Sequence, residues 1–258
     1  MLKKVLLSTS AILGMSGLAV AADMPLKAVA PAPYVYDWSG IYVGGVVGGA
    51  WGTNDLSDPG LGIVGTLVGA PVVQTNNPSA FIGGVEVGSR YQFGKLVVGW
   101  EGDALWGDMN ATSTTSFSGP VAPGAVFSRS LSTSTNWTAT GTAVVGVAHS
   151  NWLLYGKAGA ALESTSYTEN TSVSGVPLFG GTGTDNNRVG WTVGTGIEWA
   201  FYQNWSVKAE YDYLDFGNHN VAINGSFLGV GVQPGLQDNN HINQFKAGLN
   251  YRFMQNFW

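Results

Sequence analysis

The sequence predicts an all-β chain: an eight-stranded antiparallel up-and-down barrel that crosses a membrane with strands. Three observations carry this. Only 10% of the 258 residues are charged, while 45% are hydrophobic and 38 are Gly; a soluble domain carries about a quarter charged. Segments in which apolar and polar residues alternate with a period of two recur from Trp38 to Phe253. The connections between them are short and long by turns, as in barrels with tight turns at one end and large loops at the other.

The elements follow in chain order. Lys3 and Lys4 precede an apolar stretch, Val5 to Val20, that ends in Ala19-Val20-Ala21. This is the basic, apolar, small-x-small pattern of a cleaved export signal over 1–21. Cleavage before or after Ala22 stays open. Residues 22–37, with Pro25, Pro31 and Pro33, read as an extended Pro/Ala-rich periplasmic tail. Past the signal no apolar run reaches the roughly 20 residues of a membrane helix. Leu61 to Val73 is too short and is broken by Pro71.

Eight strands are expected at about 38–51, 79–93, 96–108, 136–148, 152–167, 188–201, 205–216 and 241–253. Each reaches the roughly 9–11 residues of a tilted membrane strand. Gly94-Lys95, His149 to Asn151 and Tyr202 to Asn204 are the short connections. Residues 52–78, 109–135, 168–187 and 217–240 are the long ones, and 254–258 form a short extension. The whole of 38–253 is thus one barrel with four long outer loops.

Charge parity decides which face is inside. Val85, Val87 and Tyr91 share one face of their strand, and Glu86 and Arg90 share the other. Trp205, Val207 and Tyr211 likewise oppose Lys208, Glu210 and Asp212. Every strand-borne cation (Arg90, Lys157, Arg188, Lys208, Lys246 and Arg252) falls on the second face. Glu86, Glu101, Asp103, Glu163, Glu198, Glu210 and Asp212 are expected to join them there as a lumen charge network. The opposite assignment would put six cations against lipid, at roughly 2–4 kcal/mol each near the midplane. Aromatics are expected as two girdles. Trp38, Tyr91, Phe93, Trp152, Phe201, Trp205, Tyr251 and Phe253 lie towards the short turns. Trp51, Trp106, Trp137 and Tyr167 lie towards the long loops.

Particular strings carry a family resemblance. Trp38-Ser39-Gly40-Ile41-Tyr42-Val43-Gly44-Gly45, Leu154-Tyr155-Gly156-Lys157, Trp205 to Tyr211 and Gly248-Leu249-Asn250-Tyr251-Arg252-Phe253 are similar to strands of the small porin-family outer-membrane β-barrels. That family includes the outer-membrane immunogenic proteins and distantly resembles the OmpA transmembrane domain. The resemblance covers about residues 20–253 and implies residence in a Gram-negative outer membrane. It also implies insertion by the barrel-assembly machinery with periplasmic chaperones, contact with outer-membrane lipid and lipopolysaccharide, and an assembly signal at Tyr251 and Phe253. Family members tend to end on the last strand's aromatic, whereas this chain continues to Trp258. Phe257 and Trp258 are therefore the alternative signal.

The expected role is a structural surface barrel that supports the envelope and is at most a narrow pore, because an eight-stranded interior is filled by side chains. Two alternatives are a loop-borne adhesin or binder of a host or surface ligand, such as a haem-like molecule, and a small-solute porin. Apolar patches at Leu61 to Val73, Gly119 to Phe127, Val173 to Gly181 and Val221 to Leu236 suit packing over the mouth. Asn224-Gly225 is the two-residue turn signal of a hairpin within the last patch. His219 and His241 flank the fourth loop as a weak mouth ligand site. No catalytic constellation, cofactor motif or metal motif is present. With no Cys, lipoprotein anchoring, disulfides and thiolate chemistry are excluded. The net charge of −5, or −7 once Lys3 and Lys4 are lost, argues against nucleic acid.

Overall fold

The computed structural model describes residues 36–58, 72–118, 124–232 and 235–253. The signal, most of the tail, the Leu61 to Pro71 part of the first apolar patch and residues 254–258 lie outside the described residues. The elements are β1 (Gly40–Asp58), β2 (Val72–Asn76), β3 (Ser79–Phe93), β4 (Leu96–Ser118), β5 (Val126–His149), β6 (Trp152–Val173), β7 (Val176–Tyr202), β8 (Trp205–Ala222), β9 (Asn224–Phe227), β10 (Val230–Val232) and β11 (Gly235–Phe253). Eight of them close a ring of antiparallel neighbours in the order β1-β3-β4-β5-β6-β7-β8-β11 and back to β1. The closing ladder runs from Ile41↔Phe253 to Ser57↔Gln237. Closure removes the strand edges that lipid could not satisfy.

All eight expected strands are present, and the three short turns fall where the sequence puts them. The strands run much further past the outer girdle than the sequence suggests. β7 has 27 residues and β5 has 24, more than twice the roughly 9–11 that cross the membrane. Most of 109–135 and 168–187 is therefore ladder rather than loop, joined at the top of β6 and β7 by a turn at Ser174-Gly175. The reason is physical: a period-two hydrophobic pattern exists only where one face meets lipid. Above the membrane the outward face is polar and the inward face mixes Thr and charged residues with single apolar ones such as Leu131, so Ser/Thr strands carry no such signature.

Register shifts mark that transition, at Trp106/Met109, Thr135/Trp137, Glu163/Ser164 and Asn239/His241. Bulges at a barrel rim re-aim the side chains that follow. The expected hairpin in the fourth loop exists as β9–β10, but its turn is not at Asn224-Gly225. Those residues lie in β9 and pair with Thr182 and Gly181 of β7. The turn is Leu228-Gly229, with φ of 48° and 86°, closed by the Val230↔Phe227 pair.

The outward face is apolar through the membrane. Val85, Phe81, Leu154 and Val189 stand 56–73% exposed. Tyr91, Phe93, Trp152, Phe201, Trp205 and Phe253 ring the short-turn end, and Trp51 and Trp106 the other. Two expected girdle residues face inward instead. Trp38 is fully buried, edge-on to Tyr36 at 4.8 Å between ring centroids. Tyr167 is also fully buried, its hydroxyl donating to Asp238 at 2.6 Å. Both place an aromatic inside because the interior offers a partner to its polar or π surface.

The interior is layered along the barrel axis. Tyr36, Trp38, Val97, Ala148 and Leu153 fill the short-turn end. Val46, Ile82, Leu105, Met109, Leu214 and Ile242 pack across the middle. Leu56, Leu131, Tyr167, Phe179, Ile223 and Leu236 close the long-loop end. The apolar patches of the third and fourth loops thus meet over the mouth, joined by strand residues of β1, β5 and β6. Most of the buried charge lies between these layers.

Candidate functional site: the charged interior

All thirteen ionisable residues assigned to the lumen from sequence are buried, none more than 5% exposed. They arrive there by parity, since alternate residues of each strand face the axis. The larger cluster holds five cations and six carboxylates from six strands. Lys157 of β6 lies 2.6 Å from Glu210, 3.1 Å from Glu101 and Asp212 and 3.5 Å from Asp103. Lys246 of β11 meets Asp212 at 2.6 Å, Glu210 at 2.8 Å and Asp103 at 3.0 Å. Lys208 of β8 meets Glu86 at 2.6 Å, Glu210 at 3.0 Å and Glu101 at 3.1 Å.

Two arginines extend this cluster towards the short turns. Arg90 pairs with Glu198 and, at 3.4 Å, with Glu101. Its guanidinium lies 4.5 Å from the Tyr42 ring centre and 5.0 Å from that of Tyr155. Arg252 lies 3.7 Å from Glu198, donates to the Trp38 carbonyl at 2.6 Å and covers the Trp38 ring. The tyrosine hydroxyls donate onward, Tyr42 to Glu101 at 2.6 Å and Tyr155 to Glu210 at 2.7 Å. Two glycines make room for these rings. A Cβ on Gly88 would collide with the Tyr42 ring, and one on Gly196 would stand 2.5 Å from that of Tyr155.

A second, smaller cluster sits nearer the long-loop end. Arg188 pairs with Asp238 at 2.5 Å and with Glu163 at 3.5 Å. Its guanidinium also donates to the backbone carbonyls of Phe216, Gly217 and Asp238. The β7–β8 ladder stops at Trp191↔Asp215, so Arg188 bridges a gap that backbone bonds leave. The Asn240 amide donates to both Glu163 oxygens, at 2.9 and 2.8 Å. Asp238 lies beyond the membrane-spanning segments, opposite Leu56 of β1. Burial, the dominant cause, raises its carboxyl above the ordinary value against the lowering pulls of Tyr167 and Arg188.

Sequence reasoning missed several partners. Arg129 and Glu169 pair at 2.8 Å inside the outer ladder. They lay in stretches read as loops, and the bulge before Trp137 reverses the parity of β5, so that Arg129 faces inward where the alternation below the bulge would have pointed it outward. Asp238 keeps the inward parity of Gln244 and Lys246 and escaped because it, too, lay in a stretch read as loop. The two histidines assigned to the mouth are not brought together. His219 Nδ1 lies 3.3 Å from Asp185, and His241 packs 6.2 Å from the Tyr213 ring centre. Their register partners, Asp238 for His219 and Asp215 for His241, put them four residues apart along β8, about 13 Å. Among the described residues, the only trio spaced to hold a metal ion is Glu101, Asp103 and Glu210. The Lys157 ammonium already lies within 3.5 Å of all three, so the cation's place is taken. Tyr251 and Phe253 stack edge-on at 5.0 Å at the end of β11, the strand that closes the ring.

Comparison with known proteins agrees with this architecture. Residues 11–253 match the family model described as outer membrane protein beta-barrel domain. The 31 kDa outer-membrane immunogenic proteins of Brucella melitensis biotype 1 and Brucella suis biovar 1 are each 30% identical over 176 residues, covering 67% of this chain and 66% of theirs. The chain thus spans about two thirds of the length of these relatives. Among solved structures, the outer-membrane protease OmpT of Escherichia coli superposes with a TM-score of 0.50 at 9% identity, over 83% of this chain and 97% of that one. OprG of Pseudomonas aeruginosa gives 0.43 at 14% identity, over 84% and 99%. The likeness to OmpT is one of fold alone.

Proposed function

This chain belongs to the outer membrane protein β-barrel family, and on that premise we propose that it is a closed wall protein of the bacterial outer membrane that does not conduct solutes. The observation that carries this reading is the filled axis. Three apolar layers cross the interior, and between them every one of the thirteen expected charges has an opposite partner. A paired network in a low-dielectric interior has little reason to admit water, because opening it would break ion pairs that are costly to leave single. The wall is inserted through the barrel-assembly machinery, with Tyr251 and Phe253 as the signal it reads.

Planar-bilayer recording on the purified, heat-modifiable protein tests this. No steady conductance above the bare membrane is expected. A stable open channel in the wild-type protein would refute the closed barrel and favour the small-solute porin.

A second reading, display of a ligand-binding surface by the outer hairpins, is favoured by Val126, Val176 and Leu228. These apolar side chains are 50–65% exposed at tips that face water. Catalysis has no part in either reading. The mouth histidines are separately engaged, and the likeness to OmpT is one of fold at 9% identity.

A further inference from the structure

Above the outer girdle, the outward side of β4, β5, β6 and β7 forms one continuous sheet face. Its rows follow from the register. Asn110, Ser134, Ser166 and Thr184 lie side by side across the four strands. Two residues further out come Thr112, Ser132, Thr168 and Thr182, and then Thr114, Ser130 and Asn170. All are exposed or half-exposed, whereas the alternate residues Leu131, Thr133, Tyr167 and Glu169 are buried. Strands about 4.8 Å apart and alternate residues about 7 Å apart turn these positions into a two-dimensional lattice.

The lattice is chemically uniform. Every side chain in the three rows is a hydroxyl or a carboxamide, which both donates and accepts. Thr112 and Ser132 share one bond of 2.7 Å across the strands, which leaves their other lone pairs turned outward. No Lys, Arg, Asp, Glu or aromatic stands in the rows. A phosphate would find no cation there, and an apolar partner would find little to bury. A polyhydroxylated chain would find matching groups at every position. The opposite side of the barrel is not built this way, since its outward positions carry Asp55 and Val73, both exposed, and the half-buried His241.

Position selects the partner. The first row begins four residues past Trp106, so the three rows stand roughly 10–25 Å beyond the hydrocarbon edge once strand tilt is included. They face sideways, into the layer that surrounds the barrel, and a molecule arriving from outside would meet the hairpin tips first. In a Gram-negative outer membrane, that surrounding layer is the sugar of the outer-leaflet glycolipid. We infer that the outward Ser/Thr/Asn face of β4–β7 is a docking surface for the saccharide chains of the membrane's own lipopolysaccharide.

The test compares the full-length protein in nanodiscs made with smooth lipopolysaccharide and with polysaccharide-free lipid A. Smooth lipopolysaccharide should make amide exchange roughly tenfold slower in 110–116, 128–134 and 166–170, and leave 53–57 and 237–241 unchanged. The variant T112V/S132A/T168V, checked for folding by heat-modifiable mobility, should show the same exchange in both lipids. Ser132→Ala alone, which keeps the shape of the ladder, should lose part of the difference. Equal exchange of the wild-type protein in both lipids would overturn the proposal, as would a difference that survives in the folded triple variant. So would equal protection by soluble polysaccharide added to barrels in lipid A, because that would assign the face to a glycan from solution.

Discussion

Lys157→Met should destabilise the barrel by about 3–5 kcal/mol, the usual cost of leaving buried charges without their partner. Its ammonium lies within 3.5 Å of four carboxylates from two other strands. Met fills nearly the same volume, so lost packing contributes little and lost charge dominates. Removing one carboxylate as well should partly relieve this: Lys157→Met with Glu210→Gln should be more stable than the sum of the single variants by about 1 kcal/mol or more, since the two groups touch. Urea unfolding in vesicles, followed by tryptophan fluorescence and heat-modifiable mobility, measures both. A single-variant cost below about 1 kcal/mol would mean that water reaches the cluster and screens it as at a surface, which would also undercut the closed interior.

How much of this site was legible in the sequence depended on what enforces the pattern. Lipid imposes a strict alternation, so the side on which Lys157, Lys208 and Lys246 stand could be read from their neighbours Ala158, Val207 and Phe245. The pairing itself could not. Lys246 and Asp103 are 143 positions apart, and only the closed register of eight strands brings them within 3.0 Å. Beyond the girdle the enforcing solvent changes. The Thr112 and Ser132 stretches have a polar outward face and only scattered apolar residues inward, so their strands read as loop, and Arg129 and Glu169 were lost with them. Trp38 and Tyr167 misled for another reason. An aromatic near an interface satisfies the girdle pattern equally well from inside, and only the partners, Arg252 for Trp38 and Asp238 for Tyr167, show which way it turns. At Asn224-Gly225, local turn propensity lost to the ladder that β9 makes with β7.

The same alternation produces the last large effect. Val85 and Glu86 are adjacent on β3, yet Val85 is 56% exposed to the lipid side and Glu86 is buried against Lys208. Val85 lies midway between Phe81 and Tyr91, close to the hydrocarbon centre, so Val85→Arg should cost about 2–4 kcal/mol. Thr112→Arg places the same side chain on an outward position above the girdle, where water can solvate it, and should change stability by no more than about 0.5 kcal/mol. The contrast separates depth from side-chain identity. It also fixes where the hydrocarbon ends, because a series of Arg substitutions outward along β4 from Trp100 through Trp106 to Thr112 should lose its penalty between the last two. If Thr112→Arg were as costly as Val85→Arg in the same vesicles, the outer ladder would lie in lipid rather than in the sugar layer. The boundary drawn at Trp51 and Trp106 would then be wrong.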